Sequence, residues 1–183
     1  MLGDGFANCR SGEGVRLSIK QSFIHKEYLF WLYKFFNSRG YCSNLEPRKY
    51  IRKNGIGYEF NTYTFRSFNW IYKSFYARGK KKIPHNLEIY FTSLSLAILI
   101  SDDGSFTNAG VRIATNAFVK EDVEYLSKLL KNKYNLDSTV QKLSYVDQYS
   151  LYIKKNSIGN LKTLILPHLH PSMHYKIGVK NEL

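Results

Sequence analysis

The sequence is poor in cysteine, in acidic residues and in long apolar runs. Cys9 and Cys42 are the two cysteines among 183 residues, and they form neither a CxxC pair nor the spacing of a zinc site. We therefore interpret them as ordinary thiols in a reducing compartment. No apolar run reaches the ~18 residues that a membrane-spanning helix needs, so we expect no membrane partner.

The shortage of acids leaves the chain strongly basic. Lys and Arg number 27 against 14 Asp and Glu, for a net charge of +13. Such an excess is typical of a nucleic-acid binder, and there is no long basic amphipathic helix to favour a membrane surface instead. With 44% hydrophobic and 16% aromatic residues, the chain can bury a core, which argues against wholesale disorder. The abundant Tyr, Asn, Lys, Ile and Phe have A/T-rich codons and point to a genome such as that of a mitochondrion or another organelle.

The most unusual stretch is residues 94–104, an apolar helix that ends in Asp102, Asp103 and Gly104. An acid at a helix C-terminus loses roughly 0.3–1 kcal/mol, so two of them need a divalent cation or nearby lysines as compensation. Gly104 suits a left-handed residue that ends the helix. Small residues line one face and would let a second helix approach closely; they are Ser93, Ala97 and Ser101. A core helix followed by an acidic turn is the other interpretation of this stretch.

The order of predicted elements runs twice through the chain: helix end, strand, strand, helix, strand, strand, helix. Val15-Arg16-Leu17 recurs as Val111-Arg112-Ile113, and Asp4-Gly5 recurs as Asp103-Gly104. We predict an α+β fold of tandem, pseudo-twofold αββαββα repeats with two antiparallel sheets. The halves are predicted to be 1–84 and 85–183. Helices are predicted at 25–39, 67–77, 94–103, 121–134 and 158–166, and strands at 15–21, 45–53, 58–65, 111–116, 138–145 and 149–155.

This arrangement predicts a metal site and a DNA surface. If the halves pack by their motif helices, Asp4 and Asp103 meet, and one or two carboxylates with substrate phosphates are what Mg²⁺ prefers. Lys81 and Lys176 follow the third helix of each half and would stabilise developing charge. Strand ribbons fit the major groove, and the suitable basic residues are Arg16, Lys20, Arg48, Arg52, Arg112 and Lys142. For each of these cations, a solvated charge is the alternative.

Residues 96–104 resemble the second motif of the LAGLIDADG homing endonucleases, in particular the monomeric, intron-encoded kind with two motifs. The resemblance continues through residues 111–118, 123–126, 164–167 and 173–176. It implies that the motif helices of the two repeats meet at a central interface. It also implies Mg²⁺- or Mn²⁺-dependent double-strand cleavage of DNA at an intron-insertion site. It also implies that Asp4 and Asp103 bind the metal, and that they act as catalytic residues together with Lys81 and Lys176.

The first motif is shorter than the second. Only Met1-Leu2-Gly3-Asp4-Gly5 stands where the second motif has a full helix. We expect cleavage to be weakened or lost in a chain that begins here, and about two helical turns of apolar residues before Met1 to restore it. Two other functions stay open, an intron RNA maturase of the same fold and a DNA-binding remnant that no longer cleaves.

Overall fold

The computed structural model describes residues 1–9, 14–52, 55–143 and 147–180. The chain divides into two compact units, Met1–Ser74 and Phe75–Leu183. The described residues form two four-stranded antiparallel sheets and a separate two-stranded hairpin. The boundary after residue 84 that the sequence indicates stays a prediction.

The first unit packs one long helix on one face of its sheet. The strand order is β1-β2-β4-β3. Tyr33 and Phe30 of the helix contact aromatic rings of β4, with ring centroids 5.8 Å from Phe60 and 5.6 Å from Tyr58. The elements are β1 (Phe6–Cys9), β2 (Val15–Ser22), α1 (Lys26–Asn37), β3 (Arg48–Arg52), β4 (Gly55–Asn61) and α2 (Asn69–Phe75), with 3₁₀ turns at Phe23–His25 and Arg66–Phe68.

The second unit repeats this arrangement with a longer helical layer. Its sheet has the order β7-β8-β10-β9. The amphipathic helix α5 buries Val123, Leu126, Leu129 and Leu130, with acids in its first turn and lysines in its last, as the helix dipole favours. The elements are β5 (Tyr76–Ala77), β6 (Lys80–Lys81), α3 (Leu87–Tyr90), α4 (Ser93–Asp103), β7 (Gly104–Phe106), β8 (Val111–Ala114), α5 (Lys120–Tyr134), β9 (Ser138–Lys142), β10 (Tyr149–Ile153) and α6 (Ile158–Ile165), with 3₁₀ segments at Lys155–Ser157, Leu166–His168 and Pro171–Ile177.

The two sheets confirm the predicted α+β fold with antiparallel sheets and its internal repeat. Each has the same strand order, and corresponding residues pair in corresponding places. Arg16 lies opposite Asn8 in the first sheet, and Arg112 lies opposite Ser105 in the second. The preceding valines, Val15 and Val111, are both fully buried. The repeat seen in the sequence is therefore a repeat of strand register.

Several element boundaries differ from prediction. The helix predicted to run to Ala77 ends at Phe75, and Tyr76–Ala77 pairs with Lys80–Lys81 as a hairpin. Its turn residues Arg78 and Gly79 have φ of 50° and 76°, which is the pattern of a two-residue hairpin turn. Strand β1 was not predicted, because four residues give little periodicity. The predicted strand ends at Lys53 and at residues 144–145 lie outside the described residues.

Gly104 ends α4 in a different way from that predicted. Its φ of −79° and ψ of 149° are extended, so the left-handed conformation is wrong. A Cβ at this position would lie 2.5 Å from the carbonyl oxygen of Ile100. Glycine is therefore required because the backbone folds back against the last turn of α4, and the chain enters β7 directly.

In the part of the chain that the structure describes, no helix combines the length and apolar character needed to cross a membrane.

Candidate active site and nucleic-acid interface

Helix α4 carries the acidic end that the sequence singles out. It begins at a capping box in which Thr92 and Ser95 satisfy each other's backbone N–H groups. Leu96, Ala97 and Ile100 are fully buried, so the helix is fixed by packing. Asp102 and Asp103 form its last turn and are half-buried. Because β7 starts at the next residue, the two carboxylates sit at a rigid helix-to-strand junction.

Lys176 compensates this acidic end. It lies in the 3₁₀ segment Pro171–Ile177 and is only 7% exposed. Its Nζ donates a hydrogen bond of 3.1 Å to the main-chain carbonyl of Asp102. The C-terminus of a helix carries partial negative charge, which attracts a cation and repels an acid. One of the two predicted compensators, a lysine, is thus in place, while the catalytic role of Lys176 stays a prediction.

Asp4 is held by a residue that the sequence did not indicate. Residues 1–5, all of them described, contain no helix, and Asp4 is exposed in a bend before β1. Gln21 Nε2 donates a hydrogen bond of 2.8 Å to Asp4 Oδ2. The amide oxygen, Oε1, lies 3.1 Å from His25 Nδ1. Because an amide oxygen accepts hydrogen bonds, this contact assigns the ring proton of His25 to Nδ1.

The sequence contains a signal that could have identified Gln21 as a site residue. It falls in the apolar phase of β2, on the side of Leu17 and Ile19, and is only 5% exposed. A buried polar side chain needs a hydrogen-bond partner, and here the partner is Asp4. Strand β2 therefore positions one of the two predicted metal ligands.

Lys81 lies in the β5–β6 hairpin of the second unit and is half-buried. The chain that follows it is fastened to α5. Ile83 N donates to Asp122 Oδ2 at 2.9 Å, and Tyr125 OH donates to the carbonyl of His85 at 2.8 Å. Lys81 and Lys176 thus belong to the same compact unit as Asp103.

The carboxylates of Asp4 and Asp103 each carry the oxygen donors that a hard divalent cation prefers. Among the described residues, no group of three or more His, Cys, Asp or Glu side chains could hold a metal ion alone. Mg²⁺ does not require such a group, since it takes one or two carboxylates together with water and substrate phosphates. The oxygen donors of Asp4 and Asp103 suit it.

Four of the predicted DNA contacts share one face of the first sheet. The register places Lys20 opposite Glu59, and Glu59 opposite Arg48. Arg16 lies four residues before Lys20 in β2, and Arg52 four residues after Arg48 in β3, so both share their phase. This face points away from α1, and we call it the first basic face. The side chain of Arg52 lies outside the described part.

Glu59 joins two of these cations. Lys20 Nζ lies 2.6 Å from Glu59 Oε2, and Arg48 Nη2 donates to Oε1 of the same carboxylate. Lys20 also lies over the ring of Tyr50, 5.8 Å from its centroid. Lys20 and Arg48 are therefore members of an ion-paired row across three strands, which the sequence did not predict because strand register was unknown.

The ion pairs make the contribution of Glu59 to stability depend on pH. Burial alone would raise the pKa of Glu59, but the hydrogen bonds and charges of Lys20 and Arg48 outweigh burial and hold the pKa below its ordinary value of 4.5. A carboxyl group whose pKa is lower in the folded than in the unfolded state stabilises the fold at a pH above its unfolded-state pKa. This stabilisation is lost as the pH falls through the folded-state pKa.

We therefore expect the free energy of unfolding of the wild-type chain to exceed that of Glu59→Gln by a constant amount above about pH 5, and the difference to shrink below it. Urea denaturation of both proteins across a pH series measures this. A difference that keeps its size down to the acid limit would contradict the pairing.

The second sheet presents its cations differently. Arg112 is exposed, and its Nη2 lies 3.5 Å from Gln141 Oε1. Gln141 therefore lies on the same face as Arg112. Lys142 is the next residue in β9 and pairs with Tyr149, so its side chain points to the opposite face. Lys142 Nζ lies 3.9 Å from Asp147 Oδ1. DNA contact by these two residues stays a prediction.

Each sheet also contains a buried polar side-chain atom without a hydrogen bond among the described residues. Arg16 Nε and Ser150 Oγ are buried and make no hydrogen bond within the described residues. Ser150 pairs with Ala114, two residues from Arg112, and so lies on the side of that arginine. Unsatisfied groups of this kind are rare in folded proteins.

The chain belongs to the LAGLIDADG DNA endonuclease family, whose sequence profile matches residues 1–161. It is 46% identical over 158 residues to the intron-encoded endonuclease ai4 of Dictyostelium discoideum, covering 81% of this chain and 99% of that protein. It is 39% identical over 191 residues to the cytochrome b mRNA maturase bI2 of Saccharomyces cerevisiae, covering 97% of this chain but 45% of that protein.

The fold is also that of a solved homing endonuclease. The structure of I-WcaI bound to its DNA recognition sequence matches with a TM-score of 0.87 at 24% identity, covering 98% of this chain and 82% of that one. These findings confirm the family predicted from residues 96–104 and the fold that the resemblance implied.

Proposed function

We propose that this protein is a site-specific homing endonuclease that makes metal-dependent double-strand breaks in DNA at an intron-insertion site. The observation that carries the proposal is the acidic end of α4, fixed by packing and compensated by Lys176, in a chain of the LAGLIDADG DNA endonuclease family. The protein acts as a monomer with double-stranded DNA as its partner. Its gene lies in an organelle, in keeping with a composition rich in amino acids whose codons are A/T-rich.

In this mechanism the carboxylates of Asp4 and Asp103 are the metal ligands. Asp103 is presented by the end of α4, and Asp4 is oriented by Gln21. The bound cation, Mg²⁺ or Mn²⁺, supplies Lewis-acid stabilisation of the phosphodiester oxygens. Support for such a metal comes from I-DmoI, a protein of this fold whose structure was solved with DNA and Mn.

The lysines act on charge at the reacting phosphate. Lys176 is largely buried, so its ammonium is held in one position and little solvent screens it. A fixed cation stabilises charge that develops in the transition state without reorganising. Lys81 has the same role, with its position set by the attachment of residues 83–85 to α5. The basic residues of the sheets bind phosphates and base edges, which place the scissile bonds.

The test uses a duplex selected from a randomised library by binding to this protein, cloned into a supercoiled plasmid. With about two helical turns of apolar residues added before Met1, we expect nicking and then linearisation in Mg²⁺ or Mn²⁺ and none in EDTA, and weaker cleavage by the chain without this addition. A plasmid that carries an unselected insert is the control. Specific binding without any cleavage in either metal by both proteins would contradict the proposal and leave the DNA-binding remnant.

A second function is favoured by one observation, the 39% identity to a cytochrome b mRNA maturase. A maturase would keep the fold and the basic surface but would not need the carboxylates for cleavage. Splicing of a cognate intron RNA by a protein that does not cut DNA would support this function in place of the first.

A further inference from the structure

The first basic face contains an acid where DNA would lie. Glu59 stands between Lys20 and Arg48 in the register of β2, β4 and β3. Its side chain is 8% exposed, whereas that of Arg48 is 78% exposed. A carboxylate at this place repels DNA phosphates and so lowers the affinity for DNA of any sequence. An acid kept in such a position calls for an explanation beyond charge balance.

The second unit shows that the fold does not need this ion pair. The offset of 96 residues between the repeats maps Lys20 onto Asn116. Asn61 pairs with Ser18, and Ser150 pairs with Ala114, which lies 96 residues after Ser18, so Asn61 and Ser150 occupy equivalent positions. Two residues before them stand Glu59 and Gln148. In the second unit the pair is neutral, with Asn116 Nδ2 donating to Gln148 Oε1 at 3.2 Å. The same place in the same sheet topology is thus occupied without charge.

The ion pairs also restrict two flexible cations. Lys20 is held by Glu59 at 2.6 Å and by the ring of Tyr50. Arg48 directs one terminal nitrogen at Glu59. A guanidinium has five N–H donors in a rigid fork, so this bond restricts the orientation of the fork and leaves further donors for a base edge. Long basic side chains without such a restraint adapt to phosphates of any sequence.

We propose that Glu59 is a specificity-determining positioning residue, which holds Lys20 and Arg48 in one geometry for base readout and lowers attraction to unrelated DNA. This inference rests on the proposed function, because it concerns the DNA surface of the endonuclease. Arg48 then reads a base edge, for which the usual partner of an arginine fork is guanine O6 and N7. Glu59 itself acts through its two partners.

The test is Glu59→Gln, which keeps the size of the side chain and removes its charge. Dissociation constants are measured at pH 7.5 for the selected duplex and for a random-sequence duplex pool, at several salt concentrations. We expect the variant to bind the random pool about 3- to 10-fold more tightly and the slope of log affinity against log salt to steepen by about 1, since each added phosphate contact contributes roughly 0.9. We expect the preference for the selected duplex to fall about tenfold.

Asp147→Asn is the matched control. It removes the same charge beside Lys142 of the other sheet, from a side chain that is 84% exposed and 3.9 Å from its partner. It should leave the preference for the selected duplex unchanged. Glu59→Asp, which keeps the charge, should retain the salt slope of the wild-type chain. Thermal melting checks that each variant is folded at the assay temperature.

Parallel weakening of both duplexes by Glu59→Gln, or an unchanged preference, would overturn this inference while leaving the endonuclease intact. A wild-type chain with no preference for the selected duplex over the random pool would overturn the proposed function and this inference with it.

Discussion

Asp103→Asn is expected to lower the rate of DNA cleavage by about 1000-fold or more while leaving the affinity for the selected duplex within about threefold, because a metal-bound oxygen ligand stabilises the transition state by several kcal/mol. Asparagine has nearly the same shape as aspartate. The bond from Lys176 is to the main-chain carbonyl of Asp102, which the substitution leaves in place. The substitution therefore removes the charge of the proposed metal ligand and keeps the shape of its side chain.

The measurement is single-turnover cleavage of the selected duplex in Mg²⁺, beside a gel-shift titration in EDTA. Asp102→Asn is the control, since it removes the same charge from the adjacent residue, and we expect it to reduce cleavage much less. Losing an acid from the C-terminus of α4 also stabilises the helix by roughly 0.3–1 kcal/mol, so both variants should melt no lower than the wild-type chain. Unchanged cleavage in Asp103→Asn would remove this residue from the site.

Gly104→Ala is expected to destabilise the protein by about 1–3 kcal/mol, the range found when a methyl group is forced into a packed region. Its Cβ would lie 2.5 Å from the carbonyl oxygen of Ile100 and 2.7 Å from Ile100 Cγ2. The nearest atom is backbone, so no side-chain rotation relieves the overlap. Either α4 loses its last turn or β7 moves, and both displace Asp103.

Urea denaturation measures this effect, and the cleavage assay should show a loss in the same variant at temperatures where it remains folded. Gly159→Ala is the matched control. Gly159 lies in α6, is exposed, and has no atom within 4 Å of an added Cβ. Alanine there should stabilise the chain by up to about 0.5–1 kcal/mol. Equal stability of the two variants would contradict the close approach at Gly104.

Much of the second unit could be predicted from the sequence because its signals are local. The apolar run before Asp102 and the periodicity of residues 121–134 define α4 and α5 to within a residue at each end. The Val-Arg-(Leu/Ile) repeat gave the equivalence of the two sheets. These patterns are read from neighbours in the chain, and tertiary contacts did not override them.

The features that were missed depend on contacts distant in sequence. Glu59 looks like one more polar residue of an alternating strand, and its role appears only when the register brings Lys20 and Arg48 beside it. Gln21 bonds Asp4 across 17 residues. The end of α2 was misplaced because aromatic residues continue the helical pattern through Phe75, whereas the turn at Arg78 and Gly79 pulls Tyr76 into a hairpin.

That hairpin determines where two family members should be joined to make a chimera. Lys82 N bonds the carbonyl of Phe75, and Ile83 N bonds Asp122, so the segment from Phe75 onward folds with the second unit. A junction at residue 84 would pair the hairpin of one parent with the α5 of another and break the contact to Asp122. Fusing the parents between Ser74 and Phe75 keeps Lys81, α5 and the acidic end of α4 together as one transferable block.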